Sequence, residues 1–85
     1  MSTNLQDNAK GGATVKTEYQ YIHFVKVADK PKTSVWSCQN NKTNDELGQI
    51  RWYPAWRQYC YFPTVQAVFS AGCLKDIQDF MEGLL

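Results

Sequence analysis

Leu47-Gly48-Gln49-Ile50-Arg51-Trp52-Tyr53-Pro54-Ala55-Trp56-Arg57-Gln58-Tyr59-Cys60-Tyr61-Phe62-Pro63 is the stretch on which the fold of this 85-residue chain turns. It holds two of the three tryptophans, three of the five tyrosines and both arginines, and Pro54 divides it into two aromatic-rich runs. Two such runs around a proline break read as a β-hairpin. Aromatic rings bury the largest areas of any side chain, so this hairpin is expected to form the centre of a sheet.

Residues 46–53 and 56–62 are the two expected strands. In the first, Gly48, Ile50 and Trp52 share one face and Gln49, Arg51 and Tyr53 the other; in the second, Trp56, Gln58, Cys60 and Phe62 oppose Arg57, Tyr59 and Tyr61. Gly48, with no side chain, marks a bulge or a place where another residue lies close over the backbone.

Upstream, residues 18–28 alternate strictly: Tyr19, Tyr21, His23, Val25 and Val27 against Gln20, Ile22, Phe24 and Lys26. Asp29-Lys30-Pro31-Lys32 reads as a turn, because Pro31 cannot continue a ladder and holds Lys30 extended. Residues 34–39 form the next strand, and the polar run 40–45 is the loop into the hairpin. Residues 1–17 are polar, contain Gly11-Gly12 and show no periodicity, so they read as a disordered tail ahead of one domain spanning 18–85.

Downstream, residues 64–69 cross over, with Val65, Val68 and Phe69 expected to tuck under the sheet edge. Ser70 offers an N-cap hydroxyl. From 73 to 84 the residues Leu74, Ile77, Met81 and Leu84 recur at helical spacing, with Phe80 widening the stripe and Lys75, Asp76, Gln78, Asp79 and Glu82 facing solvent. The expected fold is therefore α+β: a four-stranded antiparallel meander with one C-terminal helix packed on one face. Ile22, Phe24, Trp36, Cys38, Ile50, Trp52, Cys60 and Phe62 would line the inner face. A single helix leaves the other face open, displaying Tyr19, Tyr21, His23, Arg51, Tyr53, Arg57, Tyr59 and Tyr61.

The net charge of +1 argues against nucleic-acid binding by charge alone. Three cysteines without close spacing and an N-terminus lacking a signal-peptide pattern point to a reduced, cytoplasmic protein. No apolar run approaches the roughly 20 residues that span a bilayer. On the alternation above, His23 faces away from Cys38 and Cys60, so no thiol and imidazole pair is expected and the chain reads as a non-enzyme. Cys38, Cys60 and Cys73 lack the close pair of a zinc site, Asp76, Asp79 and Glu82 read as a solvated helix face, and no glycine-rich phosphate loop is present; neither metal nor cofactor is expected.

The open face is the feature that points to binding. Tyrosine and arginine are enriched where proteins dock, because each couples apolar area to a polar tip. Tyr19, Tyr21, Arg51, Tyr53, Arg57, Tyr59 and Tyr61 are the expected contact residues, for a host factor or a second copy of the chain. The alternative is single-stranded nucleic acid on the same face, its bases stacked on the rings and its phosphates met by arginine.

The run 47–63, followed by Val68-Phe69 and Cys73-Leu74-Lys75-Asp76-Ile77, resembles a pattern in small uncharacterised proteins of bacteriophages and bacterial mobile elements, close to LGxIxWYxPWRQYxFxP and then CLxDIxxFIxxL. Ala55 stands where that pattern has proline, and Pro54 occupies its variable position. The resemblance covers residues 47–85 and brings no activity with it. It implies a setting: a small accessory protein of a phage or mobile element, made in a bacterial cytoplasm.

Overall fold

The computed structural model of the chain describes residues 15–85. Strands β1 (Ile22–Asp29), β2 (Ser34–Asn40), β3 (Glu46–Tyr53) and β4 (Gln58–Pro63) each pair antiparallel with the next, and helix α1 (Ala71–Gly83) follows. The sheet order is β1-β2-β3-β4. This is the meander with one C-terminal helix that the alternation and spacing predict.

Ile22, Phe24, Trp36, Cys38 and Ile50 form the floor of the core, and Ile77 and Phe80 close it from the helix. The Phe80 ring stacks on Phe24 with centroids 4.0 Å apart and meets Trp36 edge-on at 5.0 Å. Truncating so enclosed a ring costs about 3–5 kcal/mol, a large part of the stability of a small domain. Ser70 caps the helix as its position predicts, its Oγ accepting the Cys73 amide at 3.2 Å.

The helix is rotated from the expected stripe. Leu74 is 53% exposed, while Cys73, Met81 and Leu84 are partly buried beside Ile77 and Phe80. Phe80 is the bulkiest apolar side chain of α1, and seating it between Phe24 and Trp36 carries Leu74 off the sheet.

β1 begins later than its alternation suggests. The Tyr19 amide donates to the Ile22 carbonyl and the Phe24 amide to the Thr17 carbonyl, so the chain folds back over residues 19–22 and Glu18 bridges His23. Of the tail expected over 1–17, residues 1–14 lie outside the described residues. Val15 packs against the core and Thr17 accepts its bond from β1, so this short stretch belongs to the domain.

The largest departure is in β4. Residues 54–57 form a four-residue turn, with the Trp56 and Arg57 amides both donating to the Tyr53 carbonyl and Arg57 in the left-handed region at φ 53°. An even loop places its two flanking residues opposite each other on one face, so Tyr53 pairs with Gln58, Trp52 with Tyr59 and Ile50 with Tyr61. Tyr59 and Tyr61 therefore face the helix, and Cys60 and Phe62 look away from it. This reverses the expectation that Cys60 and Phe62 are inside with the two tyrosines outside. Ranking by hydrophobicity favoured cysteine and phenylalanine for the core, but loop parity governs, and tyrosine supplies as large an apolar body.

The crossover also differs. Val65 and Val68 are 100% and 89% exposed, and only Phe69 packs inward, edge-on to Tyr61 at 5.5 Å.

Candidate partner-binding face

The face away from α1 has two halves of different chemistry. On β1 and β2 it is a chain of polar contacts. The Asn41 Nδ2 donates to the Tyr19 and Gln20 carbonyls, which turns its Oδ1 toward His23 Nδ1 at 2.6 Å. His23 Nε2 lies 3.1 Å from Gln39 Oε1, Gln39 Nε2 donates to Ser37 Oγ at 3.1 Å, and Ser37 Oγ donates to Glu46 Oε2 at 2.6 Å. Gln49 Nε2 closes the series on the same carboxylate oxygen. Ser37 is only 2% exposed although no helix covers it; its polar neighbours do so. A neutral imidazole carries one N–H and donates to one of its two amide oxygens at a time; the other members each have a partner, and the network ties β1, β2, β3 and the Asn41 loop together.

On β3 and β4 the same face is aromatic. The Arg51 guanidinium stacks 4.0 Å over the Phe62 ring. Tyr53 meets Phe62 edge-on at 6.1 Å, and Trp56 meets Tyr53 edge-on at 5.0 Å. Register explains the row: Gln49 opposes Phe62 and Arg51 opposes Cys60, so Phe62 stands diagonal to Arg51 within reach of a long side chain. A shallow hollow of about 270 Å³ lies along it, lined by Tyr53, Trp56, Cys60, Tyr61 and Phe62. Trp56, at the turn, is 63% exposed.

The residues expected to share one surface are thus divided. Arg51 and Tyr53 stand together on the open face, and Arg57 lies beside them in the turn. Tyr59 and Tyr61 are under the helix: the Tyr59 hydroxyl accepts the Ser34 amide at 3.2 Å, and its ring meets Trp52 at 5.4 Å. Tyr19 is also on the helix side, edge-on to Phe24 at 5.8 Å and donating to Asp79 Oδ2 at 2.8 Å. Burial first, and the hydrogen bond to Asp79 second, push the Tyr19 phenol well above its ordinary range. Tyr21 is exposed at the fold-back before β1. Trp56 and Phe62 are the members that residue-by-residue alternation missed, and the parity of the 54–57 turn was the signal that would have found them.

Cys60 shares a face with His23, contrary to expectation, yet the two lie on opposite edge strands of the sheet. Three strand spacings put them about 14 Å apart, beyond any thiol and imidazole contact. Cys38 is buried beneath the helix, and burial pushes its thiol up to about 11. Among the described residues no three of His, Cys, Asp and Glu are grouped to hold a metal ion, and no helix is long and apolar enough to cross a membrane. No protein-family model, curated protein or solved structure matches the chain.

Proposed function

We propose that this is a non-enzymatic accessory protein, of the kind carried by phages and mobile elements and made in a bacterial cytoplasm, that docks a host protein through the row Arg51, Phe62, Tyr53 and Trp56. The observation that supports this reading is the row itself: three rings and a guanidinium packed edge to face on a sheet surface with no helix above them. Residues of this kind anchor protein interfaces, since their large rigid bodies gain contact area at little entropic cost. The polar half of the same face would form the rim.

Single-stranded nucleic acid is the second reading, favoured by the exposed Trp56 ring and the two arginines near it. Against it stands the Arg51 guanidinium, already stacked on Phe62, and the small net charge. Affinity capture from bacterial lysate with wild type, Tyr53→Ala and Trp56→Ala tests the first reading. A host protein retained by wild type and lost by both variants, each still folded with a cooperative melt and Tyr53→Ala lowered by only a few degrees, is the expected result. Capture equal in all three removes the surface. Fluorescence anisotropy with short oligonucleotides at two salt concentrations tests the second reading, because phosphate contacts weaken steeply with salt.

A further inference from the structure

The two edges of the sheet are treated differently. Along β1, the Thr17 carbonyl and the Glu18 bridge occupy the outer side, and beyond them come a bulge between Lys26 and Ala28 and the charged Lys26 and Asp29. These devices discourage further strand pairing. β4 carries none of them from Gln58 to Phe62: the run is uncharged and pairs with β3 without a register shift. The Thr64 amide bonds the Leu47 carbonyl, so residues 58, 60 and 62 direct their backbone groups to β3. The N–H and C=O of Tyr59 and Tyr61 point outward, and no backbone group of the described residues meets them.

We propose that this edge pairs antiparallel with the β4 edge of a second copy, with Tyr59 of each chain opposite Tyr61 of the other. Four backbone hydrogen bonds form in that register. Sliding by one pair, to Tyr61 opposite Tyr61, would press the Pro63 ring against the Tyr59 carbonyl of the second copy, where a strand needs an N–H. In the proposed register Pro63 instead passes beyond the paired segment. Cys60 then lies on the twofold axis, facing Cys60 of the second copy as a non-hydrogen-bonded pair with Cα atoms about 4.5 Å apart.

The helix favours a second copy over an arbitrary strand. Gln78, Met81, Glu82 and Leu85 stand over Gln58 and Tyr59, so this side of α1 overhangs the β4 edge. Leu74 and Lys75 continue the strip toward the helix start. A twofold axis normal to the sheet sets the two helices antiparallel on one face, bringing Lys75 of each toward Glu82 of the other and giving the exposed Leu74 and Leu85 a surface to cover them. Short paired strands alone fall below the ~1,000 Å² of a stable interface, so the pairing draws on this strip as well. Phe62 is on β4, so the pairing also joins two aromatic rows across the axis. It uses the outward backbone groups of β4 rather than the ring faces of the docking row, and its test reads chain mass and crosslinking rather than capture of a host protein.

Sedimentation of the full chain, with diamide oxidation read on a non-reducing gel, tests the pairing. Wild type is expected at twice the chain mass, with a reducible dimer after diamide takes two electrons and two protons from the Cys60 pair. Cys60→Ser is expected to keep the doubled mass and lose the crosslink. Cys60→Lys sets two like charges face to face and is expected to fall to a single chain mass. Wild type at a single chain mass at its highest soluble concentration overturns the proposal, as does a diamide crosslink that persists in Cys60→Ser. Those two measurements need no folded lysine variant.

Discussion

The Tyr61 ring lies over the backbone of Gly48 on the neighbouring strand, so close that a Cβ on Gly48 would stand 2.5 Å from the tyrosine Cζ and hydroxyl and 2.8 Å from the Phe62 carbonyl oxygen. The glycine matters here for the space it leaves. It lets the Tyr61 phenol lie flush between β3 and the helix, where it meets Phe69 edge-on and directs its hydroxyl toward the Cys38 side of the core.

Gly48→Ala is expected to destabilise the protein by about 2 kcal/mol or more, the usual cost of forcing a methyl into a filled core, with an added penalty because one of the contacts is backbone and cannot swing aside. Urea unfolding followed by tryptophan fluorescence measures it. A loss below ~0.5 kcal/mol would mean that the tyrosine does not rest on that glycine.

The Tyr61 hydroxyl is buried without a hydrogen-bond partner of acceptable geometry among the described residues. The Cys38 thiol is beside it and, after burial itself, is the main influence holding the phenol protonated, but the two are not aligned as donor and acceptor. An orphaned buried hydroxyl costs about 1–3 kcal/mol. Tyr61→Phe removes that cost and keeps the ring, so the thermal midpoint is expected to hold or rise. A clear fall would show that the hydroxyl is bonded in solution.

Strand number, strand order, the capped helix and the close approach at Gly48 were legible in the sequence because each follows from local chemistry: alternation, a proline or polar turn, a serine before an amphipathic run, a missing side chain. The side-chain phase of β4 was legible as well but hydropathy overrode it: a two-residue break at 54–55 and the observed turn at 54–57 are both even and give the strand the same facing, whereas the turn's own conformation, with Arg57 in the left-handed region, carries no sequence signal. Tyr59 and Tyr61 read as surface by their hydroxyls, and Cys60 and Phe62 as core by their hydropathy. The fold-back at residues 19–22 was hidden for a related reason: Tyr19 to Val27 alternates perfectly, but Asn41 holds the Tyr19 and Gln20 carbonyls and breaks the strand there.

Alkaline pH is expected to weaken the fold in a defined order. The Cys38 thiol is raised from 9.0 to about 11, so the native state holds its proton more tightly than the unfolded chain does. The corresponding stability is complete below about pH 9 and is lost as pH rises toward 11, on the order of 2 kcal/mol in all. The phenols of Tyr19 and Tyr61 are raised as well and add to the decline from about pH 10 upward, where an unfolded tyrosine ionises. Denaturant midpoints across this range should therefore begin to fall from pH 9 in wild type. In Cys38→Ala the decline should start a full unit later, and an identical profile in the two proteins would remove the thiol as its cause.

Tyrosines on the two sides of the hairpin should respond oppositely to truncation. Tyr59→Ala opens the packing against Trp52 and frees the Ser34 amide, so it is expected to cost about 3 kcal/mol or more and to lower the thermal midpoint sharply. Tyr53→Ala removes a ring whose aromatic partners, Trp56 and Phe62, stand on the open face, and about 1 kcal/mol is the expected loss. Similar melting of both variants would mean that β4 does not have the phase described.

Arg51→Lys tests whether the guanidinium acts through its plane rather than its charge. Lysine keeps the positive charge and most of the aliphatic stem, but an ammonium has no plane to lay on the Phe62 ring and no fork of donors to offer a partner. At an exposed site the stability change should stay within about 0.5 kcal/mol. If the row Arg51, Phe62, Tyr53 and Trp56 is the contact surface, partner retention should still drop severalfold in Arg51→Lys and further in Arg51→Ala, because both variants lose the planar donor array and the second also loses the charge. If electrostatic steering alone mattered, lysine would serve as well as arginine, and only Arg51→Ala would be deficient. Comparing partner dissociation rates for the two variants at low and moderate salt separates those cases: a defect in the off-rate of Arg51→Lys that persists with salt identifies the stacked guanidinium as a contact group, and wild-type retention by that variant rules it out.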